Sequence, residues 1–225
     1  HEGTMYAHSG FEKEWVDRFL GKDCDITCVM DIGSFDGGDA LRFNGWYPDA
    51  KVYAIEATPC NFNAMINKVG ERENLECFNV AMSDKNEPVV FNQYLAEWLN
   101  PYDSRKEKMV MGTMFNQHDW KLDAHNMSRG ERVEVQGITF DSFCEKSDIT
   151  EVDIAHVDIE GASYKMVCGM NKVLPKMLYM EQQGPQFFED QPHTNDDLHH
   201  LLAAKGYKLV LIFPNDFLYV HLGNR

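Results

Sequence analysis

Three groups of residues in this sequence have the types and spacing to do chemistry. The first is Val29-Met-Asp-Ile-Gly-Ser-Phe-Asp-Gly-Gly-Asp39, an apolar run that ends at Asp31, breaks at Gly33 and turns through Gly37 and Gly38. Glycines at such a turn let backbone N–H groups come close to a ligand. The second is Val52-Tyr-Ala-Ile-Glu-Ala57, an apolar run ending in Glu56. A carboxylate at a strand tip can accept hydrogen bonds from both hydroxyls of a ribose. The third is a set of acids at the ends of two further apolar runs: Asp158 and Glu160 after Ile154-Ala-His-Val157, and Glu181 after Met177-Leu-Tyr-Met180.

The first two groups point to an adenosine-containing cofactor, and the glycines indicate which one. A dinucleotide site uses G-x-G-x-x-G to seat a pyrophosphate on a helix N-terminus. The order Gly33-Ser-Phe-Asp-Gly37-Gly38 lacks the second glycine of that fingerprint. Asp31 and Asp36 would repel phosphate but suit a ligand carrying an ammonium and a sulfonium, as S-adenosylmethionine does.

These groups need an alternating α/β scaffold. Phe11, Trp15 and Phe19, with Val16 and Leu20, share one helical face ahead of the first strand. Thr58-Pro59 reads as an N-cap with proline at the first helical position, opening a helix over residues 59–69. Residues 75–82 read as a third strand and 88–94 as an additional β segment. Residues 98–132 mix charges, Asn, Gly and isolated aromatics without a clean period, and a loop that long is marked as a candidate substrate lid. Residues 133–138 read as extended and 139–145 as a short helix. After the strand at 154–159 a helix runs from Gly161 and Ser163 through Leu174. Thr194 or Asn195 caps the next helix, with Gly206 as its stop, and strands at 207–213 and 217–222, joined by Pro214-Asn-Asp, must be antiparallel.

With 225 residues and no Pro/Gly/Ser-rich linker, the chain reads as a single domain over 1–225, with a helical N-terminal extension over 1–24. A net charge of −15 argues against nucleic acid as a partner, since that affinity rests on clustered Lys and Arg. Apolar runs such as Leu209-Val-Leu-Ile-Phe213 are far too short for membrane insertion. The opening His1-Glu-Gly-Thr has neither an initiator Met nor a basic-then-apolar signal pattern, which points to a trimmed N-terminus. Six cysteines without a C-x-x-C pair suit a reducing compartment, hence the cytoplasm.

Asp31-Ile-Gly-Ser-Phe-Asp-Gly-Gly, the strand end at Glu56, and Thr139-Phe-Asp-Ser-Phe followed by His156-Val-Asp-Ile-Glu-Gly161 together resemble the FkbM family of S-adenosylmethionine-dependent methyltransferases. In that family a short "LDD" helix leads into a strand ending D-x-E-G. The match covers roughly residues 27–183. It implies a class I methyltransferase fold, Rossmann-like: a seven-stranded, mostly parallel sheet with a C-terminal antiparallel hairpin and helices on both faces. It also implies O-methylation of sugar or polyketide hydroxyls, so a small-molecule or carbohydrate acceptor. The chain departs from the family pattern at His156, where Lys is common, and at Phe140 and Ser142.

Within that fold Asp31, Gly33, Ser34 and Gly37, beside Asp36, would line the methionine end of the cofactor. Glu56 would take the ribose, and residues 79–83, including Asn79 and Ala81, would lie near the adenine. Asp158 and Glu181 would stand over the transferred methyl. There a carboxylate could act as general base, or carboxylates with Gln182 could hold a divalent cation that lowers the pKa of a diol. His156, two residues inward from Asp158 on the same face, either shuttles a proton through Asp158 or is a hydrogen-bonded core histidine. Three rival readings are a nicotinamide-dependent oxidoreductase, a methyltransferase-like domain that binds without catalysis, and a nucleic-acid 2′-O-methyltransferase, against which the acidic balance weighs.

Overall fold

The computed structural model describes residues 10–99 and 106–224. Its centre is β1 (Cys28–Ile32), in which all five residues are buried. A strand with two apolar faces must be covered on both sides and flanked at both edges. Accordingly β2 (Lys51–Ile55) and β8 (Ile154–Val157) pair with it in parallel. β3 (Leu75–Phe78) extends the sheet beyond β2, and β9 (Met177–Glu181) extends it beyond β8, again in parallel. β11 (Asp216–His221) runs antiparallel to β9 and to β10 (Tyr207–Ile212), giving the order β10-β11-β9-β8-β1-β2-β3. The chain winds one way through β1, β2 and β3 and the other way through β8 and β9. The crevice at the carboxyl ends of β1 and β8 is therefore the topological switch point, where ligands bind in such sheets.

Alternation of side chains along β1 divides the core. Met30 and Ile32 face α5 (Phe140–Lys146), α6 (Ser163–Cys168) and α7 (Asn195–Ala204), burying Phe140, Met166 and Leu198. Val29 faces α1 (Lys13–Phe19), α2 (Gly38–Trp46) and α3 (Pro59–Val69), burying Val16, Phe43 and Met65. Thr58 occupies the N-cap of α3 with Pro59 in its first turn. Thr139 caps α5 through Ser142 N–H, and Thr194 with Asp197 forms a capping box on α7.

Several expectations are corrected. The third strand is interrupted: β3 ends at Phe78, and β4 (Ala81–Met82) belongs to a second sheet. The helix after Gly161 ends at Cys168, where Gly169 N–H turns back onto the carbonyls of Lys165 and Met166, well short of Leu174.

The stretch 98–132 is no irregular loop among its described residues. β5 (Pro88–Leu99), β6 (Lys106–Thr113) and β7 (Met127–Ile138) form antiparallel pairs, and with β4 they make a four-stranded sheet in the order β4-β7-β5-β6. Helix α4 (Asp119–Ala124) lies between β6 and β7. Residues 100–105, within the expected lid, and residues 1–9 of the expected N-terminal extension lie outside the described residues. The second sheet leans on the ligand edge of the first, where Asn61 of α3 donates to the Val110 carbonyl at 2.8 Å.

Candidate active site

The loop after β1 is shaped by Gly33. Its φ is +84°, and a Cβ there would fall 1.7 Å from the main-chain oxygen of Asp158. Only glycine lets the β1 and β8 loops meet so closely. The N–H groups of Gly33 and Ser34 both donate to the Ile55 carbonyl, tying the loop to the end of β2. Beyond that end, the Glu56 carboxylate accepts from Phe35 N–H at 2.9 Å and from Thr58 N–H at 2.7 Å. Burial pushes its pKa up to about 7 against the pull of these two amides.

A cavity of about 310 Å³ opens over this edge. Gly33, Ser34, Glu56 and Ala81 line it, together with Phe35, Asp39 and Asn61. Met111 and Gly112 of β6 line it too, as do Asp158, Glu160 and the buried His156. A second cavity of about 390 Å³ adjoins it, bounded by Lys121, His125, Glu181, Gln183, Phe187 and Asn215. Met111, Asp158 and Glu160 belong to both, so these two acids stand at the partition.

Other expected residues sit elsewhere. Asp31 is wholly enclosed: its carboxylate takes the Ser34 hydroxyl at 2.5 Å and lies 2.8 Å from His156 Nδ1. It positions the loop instead of facing ligand. Asp36 pairs with Lys68 at 2.6 Å and accepts from Gly38 N–H. Gly37 packs against Val69 and Met65 of α3. Asn79 donates to the carbonyls of Glu56 and Ala57, holding the β2 end from behind.

His156 is committed to Asp31, not Asp158, and its ring stacks on Tyr179 at 5.5 Å. Burial disfavours the imidazolium, but the Asp31 hydrogen bond outweighs it and leaves the pKa above the ordinary value. Its Nε2 is sealed without a partner. Among the described residues no hydrogen bond joins His156 to Asp158.

Asp158, Glu160 and Glu181 offer carboxylate oxygens that all lie within 4.8 Å of one another. Gln182, the expected fourth member, is fully buried and lines neither cavity. Burial first, then Glu181, pushes the pKa of Asp158 well above the carboxylate range. Burial and then Glu181 likewise raise Glu160 to about 7 and Asp216 to about 6. Glu160 does not cap α6, whose N-cap is Ala162. Its backbone sits at φ 47°, a conformation costly for a side-chain-bearing residue. Thr113 of β6 holds it there by donating to its carbonyl, and Gln191 donates to the carbonyl of Gly161.

Lys121, Gln183, Met111 and Thr113 are absent from the sequence reading. Lys121 lies in a polar stretch with no apolar period, and only pairing of the second sheet carries it over the acids. Phe187 lines the second cavity, whereas Phe188 packs on Phe115 in the interior.

The sheet order and the ligand crevice at its switch point define a class I methyltransferase fold. Residues 31–209 match the methyltransferase FkbM domain, and the chain belongs to that family. It is 24% identical over 188 residues to the 2-O-methyltransferase NoeI of Sinorhizobium fredii (strain NBRC 101917 / NGR234), covering 83% of this chain and 74% of that protein. Among solved structures it resembles the Methanococcus jannaschii fibrillarin pre-rRNA processing protein, with a TM-score of 0.47 and 13% identity over 88% of this chain and 67% of the other. A SAM-dependent methyltransferase from Aquifex aeolicus gives a TM-score of 0.43 and 13% identity over 91% and 87% of the two chains. No helix among the described residues is long and apolar enough to cross a membrane.

Proposed function

We propose that this chain transfers a methyl group from S-adenosylmethionine to a hydroxyl of a sugar, glycan or other small polar metabolite. The observation that carries the reading is that Glu56, Asp158 and Glu160 line one cavity together with the Gly33 loop. Glu56 suits the two ribose hydroxyls: its two carboxylate oxygens, each held by a backbone amide, line the cavity and can only accept hydrogen bonds when ionised. Gly33, without a Cβ, leaves the backbone open beside it, and the surrounding acids suit a cationic ligand. S-adenosylmethionine supplies a methyl group on a sulfonium.

The protein has two tasks, to hold an acceptor oxygen in line with that methyl and to remove one proton, and positioning supplies most of the rate. As the oxygen–carbon bond forms, the carbon–sulfur pair returns to sulfur and the hydroxyl proton passes to a carboxylate of the strand-end cluster. The second cavity, sharing Asp158 and Glu160 with the first, suits the acceptor. Carboxylates and Gln183 match hydroxyl donors, and Phe187 offers an apolar face to a ring. The NoeI resemblance supports a sugar hydroxyl. The acidic balance supports a partner other than nucleic acid, and six free cysteines support a cytoplasmic setting.

Calorimetry with S-adenosylhomocysteine tests the cofactor half. Mass spectrometry for a methyl gain across sugars, glycans and phenols tests the acceptor half. Binding of NADH without S-adenosylhomocysteine would refute the reading.

A further inference from the structure

Lys121 is an anomaly in the second sheet's connection. A lysine is rarely buried without a partner of opposite charge, yet this one is 5% exposed. Its Nζ donates to Gln183 Oε1 at 2.7 Å and lies 5.1 Å and 5.0 Å from the ring centres of Phe187 and Phe188. Gln183 turns the other end of its amide to the acids: Nε2 donates to Glu160 Oε2 at 3.1 Å. An unbroken chain of donors thus runs from an ammonium on α4 to the carboxylate at the partition of the two cavities. The amide orientation is dictated by it, since a lysine can only donate and Gln183 must therefore accept with oxygen and donate with nitrogen.

We propose that Glu160 is the group that receives the acceptor's proton, and that Lys121, acting through Gln183, is the positioning residue that aims its carboxylate. The inference rests on the methyl-transfer reading above and assigns the proton within it. Asp158 lines the same two cavities as Glu160, and three observations favour Glu160. Its backbone is held in a left-handed conformation by Thr113, and such local strain is kept where the surroundings over-determine it. Its side chain has one oxygen occupied by an amide whose own orientation is fixed, which leaves the other to take the proton. Asp158, in contrast, has its Oδ1 buried with no hydrogen-bond partner among the described residues, so no donor aims it.

The charges facing Glu160 are Asp158 at the end of β8, Glu181 at the end of β9, Glu56 beyond β2 and Lys121 on α4, with His125 on the wall of the same second cavity. Lys121 is the one that favours a carboxylate there. In the reaction the acceptor oxygen forms its bond to the methyl carbon, the carbon–sulfur pair leaves with sulfur, and the hydroxyl proton moves to Glu160. No metal, oxidant or further reactant enters the balance.

The test is a double-mutant cycle on the full-length chain with Lys121→Met, which keeps the stem length between the two phenylalanines, and Glu160→Gln. The expected result for Lys121→Met is a fall in kcat of about ten-fold or more, a fraction of what a general base supplies. The acceptor KM and the affinity for S-adenosylhomocysteine should stay within about three-fold. In the Glu160→Gln background the same change should have almost no effect, because groups acting as a unit are not additive. Should Lys121→Met fold poorly, Lys121→Met with Gln183→Leu removes the whole donor chain to Glu160, and a fall in kcat of at least the same size at an acceptor KM within about three-fold is expected.

A raised acceptor KM with intact kcat would mean that Lys121 binds the acceptor directly, and equal losses in both backgrounds would mean that it acts elsewhere. Either overturns the proposal. Failure of the underlying reading shows separately, as wild-type protein that binds no S-adenosylhomocysteine or methylates no hydroxyl.

Discussion

Thr113, the last residue of β6, donates its hydroxyl to the main-chain carbonyl of Glu160 at 2.7 Å, across 47 residues of sequence. Both partners lie where the two sheets meet. The same hydroxyl accepts from Phe115 N–H, so Thr113 orders the exit of β6 and the turn after β8 together. The second sheet is therefore more than a cover on the ligand edge, because it sets the backbone conformation of an acid in the cavity.

Removing that hydroxyl should cost more activity than stability. Thr113→Val leaves a buried carbonyl and a buried N–H without their partner, for about 1–3 kcal/mol of unfolding free energy in urea. Turnover should fall further than this loss of folded protein accounts for, with Thr113→Ser restoring it. Parallel losses of turnover and folded fraction would reduce Thr113 to a structural bond.

Glu56 links cofactor affinity to pH. Its folded pKa stands at about 7, and ribose hydroxyls donate to a carboxylate and not to a carboxylic acid. S-adenosylhomocysteine should bind more tightly as pH rises from 6 to 8, with proton release detectable in calorimetry across buffers of different ionisation enthalpy. Glu56→Gln should flatten the profile and weaken binding by roughly ten-fold, the scale of one charge-assisted bond. A profile unchanged by the substitution would remove Glu56 from the cofactor site.

Two glycine-to-alanine changes should have opposite signs. Gly33→Ala forces a methyl onto the Asp158 carbonyl in a left-handed backbone, so a loss above about 2 kcal/mol and no cofactor binding are expected. Gly45, in the last turn of α2 with open space around its would-be Cβ, should gain about 0.5–1 kcal/mol on becoming alanine. Thermal unfolding of the two variants checks both.

Burial of acids makes this fold more stable in mild acid than in base. Asp158, Glu160, Glu56 and Asp216 all have folded pKa values above their ordinary ones, so the native state holds protons that the unfolded chain has lost. Their contribution is fully present below the ordinary carboxylate range and is lost as pH rises through the folded values. Urea midpoints should fall between pH 5 and pH 8. Asp158→Asn should lessen the fall and keep turnover within about ten-fold, whereas Glu160→Gln should lower it about 100-fold or more. A 100-fold loss in Asp158→Asn with Glu160→Gln active would return the proton to Asp158.

The sequence by itself determined the first sheet and its ligand edge. β1, β8 and β9 are short apolar runs buried along nearly their whole length, a pattern that only a central parallel strand requires, and each meets a polar or glycine residue where it leaves the sheet. Gly33, Glu56, Asp158 and Glu181 were legible because a strand end is a position fixed by local pattern. The second sheet was legible only in part: residues 88–94 and 133–138 read as extended, but β6 and the first half of β7 did not, since β7 alternates mostly between exposed and half-buried positions and offers little apolar contrast.

Only the tertiary structure decided which polar groups meet. Asp31 reads as a ligand-edge acid until the parallel register of β1 and β8 sets His156 opposite it. Lys121 reads as surface charge until the β5–β7 pairing brings α4 over the acids, 62 residues from Gln183. Apolar burial is written in the period of one segment, whereas a hydrogen bond depends on the distance between two segments, and that distance exists only once both sheets have formed.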